Sequence, residues 1–295
     1  MDSDENDALA RLTAWIAARM PDARDVRVSG LRKPGAGESS DTRLFTVHWR
    51  AEGRAHALDA VLRCAPVGDA PFPSYDLAMQ FGVMRALGAA TAVPVPEVLW
   101  LEEDARVLGR QFLAMKAVDG AAPLDFPPYH GKDGLYADAS PAQRRHLWRS
   151  TVETLARLHD AGWKALGLDF VPGGRRGEDP ATHALAYWRH YLDDWIKQGS
   201  SEPIAVFDEA IDYLERERPE PERIGLVWGD AKLGNVLYNR ASFDVAAVLD
   251  WELATIGDPG GDLASLRVSD LRAQDGAGAC LEGTPDEDEL VALYE

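Results

Sequence analysis

Asp230, Lys232, Asn235 and Asp250 are the residues whose types and spacing can do chemistry together. They lie in the stretch LVWGDAKLGNVLYNRASFDVAAVLDWELATIGDPGGDLASL, from Leu226 to Leu266. Two carboxylates and an amide oxygen, with no His or Cys among them, form a hard oxygen donor set of the kind Mg²⁺ accepts. Asp and Asn also shape turns, so the residue types alone leave both readings open. Asp250 at the end of an apolar run, followed by Gly257-Asp258-Pro259 and Asp262, weights the set toward chemistry.

Short strands must position these groups. Leu226 to Trp228 leads into the first turn, Asn235 to Tyr238 reads as a strand, Asn239-Arg240 begins a turn, and Val245 to Leu249 reads as a second strand. Side chains just past the ends of such neighbours converge. Asp262 opens a helix, where an acid suits the dipole and can brace the preceding loop.

Upstream, Leu9, Leu12, Ile16 and Met20 recur at helical spacing, and strands follow at Val26–Ser29, Leu44–Trp49 and Ala57–Arg63. Between the first two strands lies a glycine-rich turn with Gly35, Gly37, Ser39 and Ser40. Such a turn either closes backbone N–H groups over phosphates or is only a turn. Arg63 ends its strand as a phosphate ligand or a solvated cation. A helix from Tyr75 to Leu87 and strands at Val98–Leu101 and Arg110–Val118 come next. Ala121 to Asp138 is irregular. Ser140, Pro141 and Gln143 mark a strong helix start, and that helix runs to about His159, either a structural residue or a catalytic one. In the helix Ala181–Lys197, Tyr187, Trp188, Tyr191 and Trp195 are expected mostly in the core. Arg175 and Arg176 read as an exposed charge run. A helix over Pro203–Arg218 follows, Ala273 to Pro285 is expected to be loose, and Asp286 opens a final helix.

The Asp230-x-Lys232-x-x-Asn235 loop, the strand-end Asp250 and the tail Gly257-Asp258-Pro259-x-x-Asp262-Leu263 resemble the aminoglycoside phosphotransferase (choline-kinase-like) superfamily. The likeness is strongest to the branch related to the kinase-like N-terminal part of certain acyl-CoA dehydrogenases. It implies an α+β, two-lobed protein-kinase-like fold with an antiparallel-sheet N-lobe and a mainly helical C-lobe. Residues 1–118 would form the nucleotide-binding lobe and 119–295 the helical lobe with catalytic loop and metal site. ATP and Mg²⁺ are the implied cofactors, and a small-molecule hydroxyl (aminoglycoside-like, hydroxyacyl-CoA or other metabolite) the acceptor. Asp230 would be the base, Lys232 would approach the γ-phosphate, and Asn235 and Asp250 would hold the metal. Gly35, Gly37, Ser39 and Ser40 would cover the phosphates, while the backbone of Met115 to Ala117 would face adenine. Three positions depart from the family pattern. Arg63 replaces a Lys, Gln80 replaces the acid that should pair with it, and Trp228 replaces a scaffold His. Asp76, one turn before Gln80, is a candidate substitute partner. These departures keep a nucleotide-binding pseudokinase as the alternative. The resemblance would continue past Glu295 into helices completing the acceptor pocket.

Composition narrows the partners. A net charge of −18 disfavours nucleic acid and anionic membranes. Cys64 and Cys280 have no metal or disulfide spacing, which suits a reducing compartment. The N-terminus is acidic, and no apolar run approaches the ~18 residues of a membrane span. A cytoplasmic enzyme is the expectation. The sequence does not specify an oligomeric state.

Overall fold

The computed structural model describes residues 3–33, 41–66, 75–196, 205–218 and 220–295. Internal contacts divide the chain into two compact units. The first holds the described residues up to Pro66, Tyr75–Phe81 and Pro96–Ala117, and the second holds Gly82–Val95 and the described residues from Val118 onward.

The first unit is a helix on a sheet. Helix α1 (Ser3–Arg19) is followed by strands β1 (Arg24–Arg32), β2 (Asp41–Ala51), β3 (Arg54–Cys64), β4 (Val98–Glu102) and β5 (Phe112–Lys116). The strands form one antiparallel sheet in the order β1-β2-β3-β5-β4. The β2–β3 hairpin closes at Ala51↔Arg54 through Glu52 and Gly53, whose φ angles are 51° and 75°. A two-residue turn needs both central residues in the left-handed region to match strand twist. The helical spacing of the opening segment has a packing cause, since Leu12 and Ile16 are fully buried against Phe45, Val47, Leu62 and Phe112. Trp15 meets Phe112 edge-on at 4.8 Å, and its indole N–H donates to Glu102, to which Arg19 also donates at 2.9 Å.

Helix α2 (Leu77–Ala90) begins at Asp76, whose Oδ1 accepts the Met79 N–H at 2.7 Å. The side chain suggested as a partner for Arg63 thus serves as a helix cap, a role worth about 1 kcal/mol.

The second unit is mainly helical, with α3 (Pro141–Asp160), α4 (Pro180–His190), α5 (Ala205–Arg216), α6 (Gly260–Ala277) and α7 (Glu287–Tyr294). Helix α3 starts with the expected capping box: Gln143 N–H donates to Ser140 Oγ, and Ser140 N–H to Gln143 Oε1 at 2.8 Å. Its inward face buries Leu147, Trp148, Thr151, Val152, Leu155 and Leu158. Truncating one of these leucines to Ala would cost roughly 2–5 kcal/mol. Short strands β6 (Gly225–Val227) and β9 (Thr255–Gly257) pair with each other, as do β7 (Val236–Tyr238) and β8 (Val245–Val248).

Two expectations are corrected. Ala273 to Ala277 is not loose, because α6 continues to Ala277 and stops only where Gly278 adopts φ 67° as a left-handed cap, and the irregular stretch begins there. The aromatics of α4 are not core residues: the helix has no buried residue, and Trp188 is 43% exposed. Tyr187 and Trp188 instead pack edge-on to each other at 5.2 Å, with Tyr191 edge-on to Trp188 at 5.7 Å, ring against ring along the helix.

Candidate active site

The site in the second unit is built on a turn that only glycine can make. After β6 the chain bends at Gly229, which has φ 90°, and a Cβ there would lie 2.2 Å from the Leu253 carbonyl oxygen. The bend leaves the N–H groups of Trp228 and Gly229 pointing inward. Both are taken by Asp262 from the first turn of α6: Trp228 N–H donates to Oδ2 at 2.7 Å and Gly229 N–H to Oδ1 at 2.8 Å. Asp262 is fully buried, and His159 Nε2 lies 2.9 Å from its Oδ2. A buried carboxylate is tolerable when N–H groups surround it. His159 is itself 2% exposed, so it braces Asp262 and cannot reach a substrate.

Asp230 follows directly. Asn235, at the end of a 3₁₀ turn (Leu233–Asn235), folds back so that its Nδ2 donates to Asp230 Oδ2 at 2.7 Å and to the Asp230 carbonyl at 3.1 Å. Lys232 Nζ sits 3.3 Å from the same carboxylate oxygen and 3.4 Å from Asp125 Oδ2. Partial burial by itself pushes the Lys232 ammonium down, but Asp230 and Asp125 outweigh it and hold its pKa above the ordinary lysine value. Asp230, Lys232 and Asn235 are therefore brought together.

Sequence reasoning missed Asp125. It lies more than a hundred residues from Lys232, in the irregular stretch, and no spacing links the two. The one local sign is Gly234, where a Cβ would lie 2.9 Å from Asp125 Oδ1, so a glycine is what lets this carboxylate approach.

Asp250 follows β8 at φ 60°, a left-handed conformation that Asp tolerates better than most residues. Two contacts fix its backbone beside the Asp230 loop. Leu249 N–H donates to the Asn235 carbonyl at 2.9 Å, and Trp228 Nε1 donates to the carbonyls of Leu249 at 2.7 Å and Asp250 at 3.0 Å. The departure at Trp228 thus has a structural function, since a fully buried indole ties the two loops together. The antiparallel pairing Val236↔Val248 likewise brings the start of β7, where Asn235 sits, beside the segment leading to Asp250.

These donors fit Mg²⁺. Asn235 turns its amide nitrogen to Asp230, leaving the amide oxygen as its remaining donor, and Asp250 is a carboxylate. Both are hard oxygens, and Mg²⁺ is usually held by one or two carboxylates together with substrate phosphates. Among the described residues no cluster of three or more His, Cys, Asp or Glu side chains forms a metal cage.

In the first unit, Arg63 lies on β3 opposite Thr42 and Leu113, and is 8% exposed. Gln80 is 1% exposed, and its Nε2 has no hydrogen-bond partner among the described residues. Met115 pairs with Val61 and Val98. In the neighbouring segment, Lys116 N–H donates to Glu97 at 2.8 Å and Ala117 N–H to Asp59 at 2.9 Å. Gly35, Gly37, Ser39 and Ser40 lie outside the described residues.

A sequence profile described as the phosphotransferase enzyme family (APH) matches residues 30–283. The Arabidopsis thaliana protein named "Probable acyl-CoA dehydrogenase IBR3" is 30% identical over 273 residues, covering 88% of this chain but 30% of its own. The chain thus spans under a third of the length of that relative. A Ralstonia eutropha structure, provisionally named an aminoglycoside phosphotransferase, is 27% identical with a TM-score of 0.68, covering 97% of this chain and 78% of the other. A ternary complex of the aminoglycoside phosphotransferase APH(4)-Ia with ADP and hygromycin B shares the fold at 19% identity and a TM-score of 0.54, covering 90% of this chain and 81% of the other. The fold is kinase-like, an antiparallel-sheet lobe followed by a mainly helical one.

Proposed function

Since the chain belongs to the phosphotransferase enzyme family, we propose that it transfers the γ-phosphate of ATP to a hydroxyl of a small molecule. The observation behind this reading is the Asp230 carboxylate, held at Oδ2 by Asn235 Nδ2 at 2.7 Å and Lys232 Nζ at 3.3 Å. With one oxygen so oriented, Asp230 aligns the acceptor hydroxyl and takes its proton. The freed oxygen forms its bond to the γ-phosphorus while the bond to the bridging oxygen breaks, and a nucleoside diphosphate leaves. Lys232 stays cationic and offsets charge on the transferred group. Asn235 and Asp250 would hold Mg²⁺, which when bound supplies further positive charge at the phosphates.

Arg63 is the first unit's proposed phosphate contact, and an arginine needs no acidic partner to stay charged. Adenine would lie along Met115 to Ala117, and Gly35, Gly37, Ser39 and Ser40 would cover the phosphates. The Ralstonia neighbour's name supports an aminoglycoside-like acceptor, and the Arabidopsis relative's name supports an acyl-CoA-type one, of which a hydroxyacyl-CoA would supply the hydroxyl. No helix among the described residues is long and apolar enough to cross a membrane. A cytoplasmic setting and the lack of nucleic-acid or membrane partners belong to the same proposal.

The test is labelled ATP or GTP with a panel of aminoglycosides, hydroxyacyl-CoAs and other hydroxyl metabolites. Asp230→Ala should lower single-turnover transfer by ~10²–10⁴-fold with nucleotide affinity unchanged. Mg·ATP binding without transfer to any acceptor would favour the pseudokinase.

A further inference from the structure

We propose that Tyr294, on the last helix, is a positioning residue for the Asp230 turn, acting through His159 and Asp262. This rests on the phosphotransferase reading for its kinetic consequence, though not for its geometry.

The connection is continuous, half-buried at Tyr294 and fully buried from His159 inward. Tyr294 Oη lies 2.7 Å from His159 Nδ1, with the phenol ring edge-on to the imidazole at 5.6 Å. His159 Nε2 lies 2.9 Å from Asp262 Oδ2, and neither of those two side chains has any exposed surface. Asp262 in turn takes the N–H groups of Trp228 and Gly229, the two residues directly before Asp230. A carboxylate only accepts, so Nε2 is the nitrogen that bears hydrogen toward Asp262. The other ring nitrogen then needs a partner of its own. A neutral ring accepts at Nδ1 and Tyr294 donates, whereas an imidazolium donates and Tyr294 accepts. A phenol serves either state, and phenylalanine serves neither. Loss of the hydroxyl frees the imidazole to turn or to move its proton, which removes the N–H that Asp262 Oδ2 now takes. The carboxylate then shifts, and with it the two backbone amides that aim Asp230.

Outer partners of metal-ligating residues change affinity or activity by ~10–100-fold, and a partner acting through two further side chains belongs at the lower end of that range. A residue that only anchored the last helix would alter its docking and leave the Asp230 turn unmoved.

The test uses the full ¹⁵N-labelled chain as parent, Tyr294→Phe, His159→Gln and the double variant, each with its melting temperature. In Tyr294→Phe the His159 ring nitrogens and the Trp228 and Gly229 amides should shift, and transfer kcat should fall ~10-fold with the nucleotide KM unchanged. If Tyr294 acts through His159, the double variant should resemble His159→Gln alone. Unmoved Trp228 and Gly229 amides in Tyr294→Phe would overturn the proposal, and so would additive effects in the double variant. Should Tyr294→Phe be too unstable to study, 4-aminophenylalanine at 294, which restores a donor, must recover the parent amide shifts, and failure to do so would overturn it. A parent chain silent toward every acceptor refutes the phosphotransferase reading alone, while the amide shifts still decide the role of Tyr294.

Discussion

Replacing Asp262 by Asn tests whether the buried carboxylate holds the Asp230 turn, and the size of the effect follows from its three contacts. Asp262 Oδ1 accepts from Gly229 at 2.8 Å, and Oδ2 accepts from Trp228 at 2.7 Å and faces His159 Nε2 at 2.9 Å. In the best arrangement open to the substituted side chain, its oxygen keeps Gly229, and its amide donates to His159 once the imidazole has switched its proton to Nδ1. Tyr294 Oη can accept that proton, so the ring adapts. Trp228 N–H then faces another donor and stays buried without a partner, a penalty of roughly 1–3 kcal/mol. The Gly229 bond loses its ionic assistance, about another 1 kcal/mol. The sum is about 3 kcal/mol. For a unit of this size each kcal/mol lowers the melting temperature by about 2–4 °C, so scanning calorimetry should show the second unit melting about 9 °C lower. Asp262→Ala, which also leaves a void and cannot accept from Gly229, should be worse. A shift of under ~2 °C in Asp262→Asn would refute the reasoning, since an isosteric change can be that mild only if the carboxylate is not the acceptor for both amides.

Two further outcomes follow from the site. Asp250→Asn should abolish the Mg²⁺ dependence of nucleotide affinity in calorimetric titration while the melting temperature stays near that of the parent, and equal metal-dependent affinity in both proteins would reject Asp250 as a ligand. The Lys232 ammonium has a folded pKa above its ordinary value, so its ion pairs contribute fully at neutral pH and are lost only as alkaline pH rises through that folded value. Asp125→Asn removes one of the two raising charges, so an NMR titration of the Lys232 side chain should show deprotonation moving to lower pH, and an unmoved titration would refute the Asp125 contact.

What was legible in the sequence was what neighbouring residues decide. The Asp230, Lys232 and Asn235 spacing could be read because all three sit on one loop, and the Ser140–Gln143 capping box because its two halves are three residues apart. The opening helix followed from its apolar spacing. Long-range partners stayed hidden. Asp125 meets Lys232, and His159 meets Asp262 and Tyr294, across separations that carry no periodic signal. Trp228 was recognised as a departure from the family pattern, but its bonds to Leu249 and Asp250 depend on how two loops meet. The α4 aromatics misled for a related reason: ring content signals packing without saying against what, and these rings pack on one another without reaching the core. The length of α6 was missed because Asp275 and Gly276 look like an ending, whereas the stop is the left-handed Gly278.

The left-handed backbone at Asp250 sets two demands on one position in opposition. Glycine would adopt φ 60° without the steric penalty a Cβ brings there, so relaxing the backbone and keeping the carboxylate exclude each other. On the proposed reading, the fold accepts a less comfortable residue because an oxygen donor is wanted there. Variants selected for heat resistance alone should therefore drift toward glycine at this position and lose metal-dependent nucleotide binding as they gain durability. Lineages in which that drift has occurred would hold the same fold as quiet scaffolds, one substitution away from chemistry.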